Sequence, residues 1–120
     1  WSGARLIGTN DDATYPTASG LVPGGGAILA AIATATGVVP TVAGKPNRPI
    51  VELVRSRIGA TGVMVGDRPD TDGAFARALG YRFALVLTGV TTPADLPVTP
   101  APDVVLADVG TVVRELFPFC

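Results

Sequence analysis

Gly62-Val63-Met64-Val65-Gly66-Asp67-Arg68-Pro69-Asp70-Thr71-Asp72 is the stretch on which the fold turns. A short apolar run gives way at once to three carboxylates within six residues, 67 to 72. Such a run, apolar without polar alternation, is what a parallel strand buried on both faces requires. In an open α/β sheet, ligands lie just beyond the carboxyl ends of the strands, where this acidic loop falls. Asp67 follows the strand directly and is placed to point into such a cleft. Asp70 and Asp72 open the next helix, whose positive end stabilises acids. Like charges this close repel unless a cation or an ammonium lies between them. Oxygen-only ligands suit Mg2+, which keeps waters and takes one or two carboxylates plus a phosphate. Asp and Thr are also good helix caps. Capping accounts for Asp70, but nothing about capping requires Asp67.

Outward from that loop the pattern continues. Asp70 to Leu79 reads as a helix stopped by Gly80, and Arg82 to Leu87 as a second buried strand ending in Thr88-Gly89-Val90. Asp103 to Leu106 is a third strand and Val109 to Leu116 a closing helix. On the other side, Pro40 to Gly44 is extended. Lys45-Pro46-Asn47-Arg48-Pro49 opens a helix to about Ile58, since proline is tolerated in a first turn. Gly25 to Thr36 is an Ala-rich helix with Gly37 at its end. Arg5 to Thr9 is a short strand running into the polar turn Asn10-Asp11-Asp12, and residues 13–24, rich in Thr, Pro and Gly, read as a loop. From residue 44 onward, strands and helices alternate as in an open parallel sheet with helices on its faces. Residues 1–37 differ in character, as a separate subdomain would.

Composition narrows the chemistry. The chain has 120 residues, 48% of them apolar, enough for a packed core rather than a disordered tract. The net charge is −1 with both signs scattered, which argues against a nucleic-acid surface. There is no His, so Ser-His-Asp, Cys-His and His-metal chemistry are excluded within these residues. The single Cys, Cys120, has no internal disulfide partner, and the chain reads as cytoplasmic. No apolar stretch is long enough to span a bilayer, and no charged leader precedes one. Lys45 is the only lysine in an Arg-rich chain. A solvated surface is the ordinary fate of a lysine. Yet its isolation between an extended segment and a helix marks a place where a compact point charge, able to reach a phosphate, serves better than a guanidinium.

Taken together, Gly44-Lys45-Pro46, Val65-Gly66-Asp67-Arg68-Pro69-Asp70-Thr71-Asp72 and Leu87-Thr88-Gly89-Val90-Thr91 resemble the haloacid dehalogenase superfamily. More narrowly, they are similar to its phosphatases with a large α/β cap inserted ahead of the lysine motif. Thr9-Asn10-Asp11-Asp12-Ala13-Thr14-Tyr15-Pro16 and Pro23-Gly24-Gly25-Gly26-Ala27 look like the end of that cap. The resemblance implies an α/β fold: the end of a cap subdomain over residues 1–40, then the C-terminal half of a Rossmann-like core over 41–120. It implies a Mg2+-dependent phosphatase of small phosphate monoesters working through an aspartyl-phosphate. Lys45 would hold the phosphoryl group, Asp67 would bind the metal, Asp72 would support the lysine and the metal shell, and Asn10 and Asp12 would contact substrate.

The sequence departs from that family in one respect. No strand ends in the Asp-x-Asp that carries the family's nucleophile and acid–base. Asn10-Asp11-Asp12 is the nearest imitation, with Asn in the nucleophile's place. Since phosphoryl transfer of this kind needs a positioned nucleophile as well as charge neutralisation, residues 1–120 are expected to be inactive alone. The start at Trp1-Ser2-Gly3 without Met fits a fragment that associates with a missing N-terminal segment or with itself. A receiver-like module with an acidic Mg2+ pocket is the alternative, but it places its acids first and its lysine last, the reverse of the order here. Gly24-Gly25-Gly26 lacks the spacing of a nucleotide-binding loop and reads as a helix-start loop. The site reading carries a geometric expectation: Lys45, Asp67 and Asp72 converge at one edge of a parallel sheet.

Overall fold

A computed structural model describes residues 3–118, so Trp1, Ser2, Phe119 and Cys120 lie outside the described residues. The chain divides into two compact units, residues 1–50 and 51–120.

In the first unit, strand β1 (Ile7–Gly8) pairs in parallel with β4 (Thr41–Val42), Ile7 opposite Thr41 and Gly8 opposite Val42. Between them in sequence come an antiparallel hairpin, β2 (Thr14–Thr17) with β3 (Gly20–Pro23), and helix α1 (Gly25–Thr36). The hairpin corrects the loop expected over residues 13–24. Pro16, Pro23 and Gly20 are loop signals. Proline is nevertheless admitted on edge strands, and both strands of a two-stranded ribbon are edges. The connection Ala18-Ser19 is closed by the Thr17 hydroxyl, which donates to the Gly20 carbonyl at 2.7 Å. Helix α1 runs over the residues expected and ends at Gly37, whose left-handed φ of 69° lets its N–H reach the Ala33 carbonyl at 2.8 Å. Leu29 is the buried residue of α1, and it packs so closely on Gly8 that a Cβ there would overlap its side chain.

Helix α2 (Arg48–Ile58) leads from the first unit into the second. The second unit is built on a parallel sheet, β5 (Val63–Gly66), β6 (Arg82–Val86) and β7 (Val104–Leu106), with β6 in the middle. Period-two alternation divides β6 between two cores. Phe83 and Leu85 pack with Ala76 of helix α3 (Ala74–Leu79), joined by Met64, Leu87 and Val98. Ala84 and Val86 pack on the other face with Val112 of helix α4 (Val109–Leu116), joined by Val63, Val65, Val104 and Leu106. Phe83, Ala84 and Leu85 are wholly buried, worth about 1.5–3 kcal/mol for each large side chain. Helices on both faces of a parallel sheet are the architecture the alternation predicts. Arg55 of α2 braces the end of α3 by donating to the carbonyls of Ala78 and Leu79 at 3.1 Å each, which satisfies acceptors that every helix end leaves open. Among the described residues, no helix is long and apolar enough to cross a membrane.

Candidate active site

The acidic loop begins where β5 ends, and its shape is set by Asp72. This carboxylate is buried, 4% exposed. Its Oδ2 accepts the N–H of Asp67 at 3.1 Å and that of Arg68 at 3.2 Å. The Arg68 carbonyl in turn accepts the Asp72 N–H at 2.7 Å and the Gly73 N–H at 3.3 Å, the second bond being the one that winds Pro69–Gly73 into a π-helical turn ahead of α3. Gly66 is required here, because a Cβ on it would overlap the Asp72 carboxylate. Asp70, expected to cap this helix, does not. It is exposed and, among the described residues, accepts the neighbouring Thr71 N–H at 3.1 Å, because the Asp72 and Gly73 N–H groups that it would cap go to the Arg68 carbonyl.

Asp67 is held from the other side by the loop that follows β6. The Val90 N–H donates to Asp67 Oδ2 at 2.7 Å. The buried Thr91 hydroxyl donates to the Asp67 main-chain carbonyl at 2.6 Å, and the Thr91 N–H approaches the same oxygen at 3.3 Å. Gly89 permits the contact, because a Cβ on it would overlap the Asp67 carboxylate. The other carboxylate oxygen, Oδ1, has no hydrogen bond among the described residues. The loops after β5 and β6 therefore meet on Asp67, leaving it one oxygen to give.

That arrangement suits a hard cation bound through a single carboxylate oxygen. Among the described residues no three His, Cys, Asp or Glu side chains gather into a cage. Mg2+ does not ask for one, since it is commonly bound through one or two carboxylates with waters and phosphate making up the octahedron. Asp67 has one carboxylate oxygen that such a cation could take, while Asp72 spends an oxygen on the loop itself.

In the first unit, the candidates gather at the carboxyl ends of β1 and β4. Lys45 is exposed in a turn over Gly44–Asn47, closed by the Asn47 N–H to the Gly44 carbonyl at 2.9 Å. Gly44 packs on the Thr9 carbonyl, and a Cβ built on it would lie 3.3 Å from Asn10 Cα. The Lys45 turn and Asn10 are thus neighbours. Asn10 Oδ1 would lie 2.5 Å from a Cβ on Gly25, and the Asp12 carbonyl accepts the Gly26 N–H at 2.9 Å. The three glycines 24–26 are therefore a seat for the Asn10–Asp12 turn, close to the helix-start loop that their spacing suggested. The structure brings Asp67 and Asp72 together in one unit, and Lys45 and Asn10 together in the other.

Sequence reasoning gave Thr91 no role, and the Val90 N–H is invisible to it. The Thr-Gly-Val-Thr string was the available signal, but its meaning depends on a partner 24 residues earlier.

Comparisons with known proteins bear on the family and the fold. Residues 42–112, more than half of the chain, match the HAD-hydrolase-like family, and the chain belongs to it. The chain is 44% identical over 95 residues to D-glycerol 3-phosphate phosphatase of Mycobacterium tuberculosis, covering 78% of this chain and 27% of that protein. Among solved structures, a hypothetical protein from Pyrococcus horikoshii OT3 superposes with a TM-score of 0.84 at 46% identity, covering 95% of this chain and 44% of that one. Glycerol phosphate phosphatase from M. tuberculosis in complex with magnesium gives a TM-score of 0.78 at 38% identity, covering 92% and 35%. It has also been solved in complex with calcium. The chain thus spans less than half the length of each of these relatives.

Proposed function

We propose that residues 1–120 form part of a Mg2+-dependent phosphatase that hydrolyses small phosphate monoesters through an aspartyl-phosphate. The nucleophile lies outside these residues, because no strand here ends in Asp-x-Asp. The observation that carries the reading is Asp67, clamped by two loops with Oδ1 left unbonded. Relatives named as phosphatases support the reaction class, and the family favours it over a receiver-like module.

Each residue has a part in this reading. Lys45 places an ammonium against the phosphoryl oxygens at the end of β4. Asp67 offers one carboxylate oxygen to the cation. Asp72 fixes the loop that presents it and supports the lysine and the metal shell. Asn10 and Asp12, within the cap segment of residues 1–40, contact the organic part of the substrate. When bound, Mg2+ would offset the negative charge that builds on the transferring group.

Phosphate release from a panel of small esters, including glycerol phosphate and nitrophenyl phosphate, tests the proposal in the full-length protein. Turnover that needs Mg2+ is expected. Absence of phosphate release with the metal present would refute it.

A further inference from the structure

The loop after β6 makes more contacts to Asp67 than its own folding needs. Its continuation is anchored independently: the Thr92 N–H and hydroxyl both donate to Asp95 Oδ2, at 2.8 and 2.7 Å, closing a short 3-10 turn over Pro93–Asp95. That capping box would form whether or not Thr91 touched Asp67. Thr91 nonetheless turns a buried hydroxyl onto the Asp67 carbonyl, Val90 gives its N–H to one carboxylate oxygen, and Gly89 has no side chain to hold them apart.

From this we infer that Thr91 is a positioning residue for the cation, acting through Asp67. The inference rests on the reading of Asp67 as a metal ligand. A lone aspartate at a strand end turns about χ1 and χ2 and can offer either oxygen. Here the main chain is pinned at its carbonyl by Thr91 and at its N–H by Asp72, and Oδ2 is taken by Val90. Oδ1 is what remains for a ligand bond, in an orientation fixed before any cation arrives. Losing a partner that fixes a ligand's orientation typically costs about ten- to a hundredfold in metal affinity.

The test measures Mn2+ affinity by electron paramagnetic resonance in the full-length protein, with thermal melts alongside. Thr91→Val, which keeps the shape and loses the hydroxyl, should weaken Mn2+ binding about tenfold or more. Thr91→Ser, which keeps the hydroxyl, should restore native affinity. A role in packing alone would predict the reverse order, because Ser loses the buried methyl and Val does not. Should Thr91→Val fail to fold, Thr91→Ala set against Thr91→Ser carries the same test, because these two variants differ only in the hydroxyl and Ala should bind more weakly. Native affinity in Thr91→Val, or equal affinity in Thr91→Ala and Thr91→Ser if that pair decides, overturns the inference and leaves the metal reading intact provided Asp67→Asn has lost binding. Native affinity in Asp67→Asn overturns both.

Discussion

Asp67 and Asp72 share a loop and a charge but differ in what surrounds them. Asp72 is buried beneath the loop and occupied by two backbone N–H groups. Asp67 is half-buried and keeps one oxygen open. The spacing Gly66-Asp67-x4-Asp72 was readable in the sequence because both acids act within five residues of each other. The reading of Asp70 as a cap failed because the N–H groups that it would have capped, those of Asp72 and Gly73, go to the Arg68 carbonyl instead. Thr91 went unassigned because its meaning comes from a tertiary contact. Lys45 belongs to the same scale. If it holds a phosphoryl group, a planar guanidinium cannot reproduce its compact charge. Lys45→Arg in the full-length protein should therefore lower kcat/KM at least about tenfold, equivalent to about 1.4 kcal/mol of transition-state stabilisation. Native turnover in that variant would return Lys45 to an ordinary surface lysine.

At the scale of elements, apolar strands and glycine-stopped helices were legible. Their signals are local: Gly37 and Gly80 both adopt the left-handed conformation that ends a helix. The hairpin over 14–23 was not, because its stability comes from cross-strand pairs such as Tyr15 with Val22 rather than from either strand alone. Asp103 ties three elements of the second unit together. It accepts the Phe83 N–H at 2.7 Å and an Arg77 guanidinium N–H at 2.8 Å. The Phe83 N–H, then Arg77, hold its carboxyl below the usual carboxylate range. Asp108, which caps α4 through the Thr111 N–H, and Asp95, bonded to Thr92, are lowered likewise. A depressed folded-state pKa contributes stability above the unfolded value, near pH 4, and loses it as pH falls through the folded value. Chemical denaturation across pH should therefore show stability level above about pH 5 and falling below about pH 4. Asp103→Asn should be less stable at neutral pH and show a shallower acid fall. An unchanged acid profile in that variant would contradict the account of Asp103.

For the molecule as a whole, the α/β architecture of the second unit was legible because β5, β6 and β7 alternate with helices in sequence. Membership of the HAD-hydrolase-like family follows from residues 42–112. That no strand of residues 1–120 ends in Asp-x-Asp was legible directly from the sequence. Among the described residues β5 is paired on its β6 side alone, and Val63, Met64 and Val65 are only half-buried although all are apolar. An open strand edge invites pairing with another chain. We therefore propose that residues 1–120, prepared by themselves, associate or melt with little cooperativity. Sedimentation and thermal melts check this, and a monomer with a sharp transition would contradict it.

The central claim is that Asp67 binds the cation on which phosphoryl transfer depends. A Mg2+ titration of phosphate-ester hydrolysis, comparing the native full-length protein with Asp67→Asn, tests it most directly. The amide keeps the shape of the side chain but removes the charge that a hard cation needs. The account predicts that the variant loses activity and magnesium response together, at least about a hundredfold in kcat/KM at fixed Mg2+, corresponding to about 2.7 kcal/mol. Hydrolysis by Asp67→Asn with an unchanged magnesium dependence would contradict it.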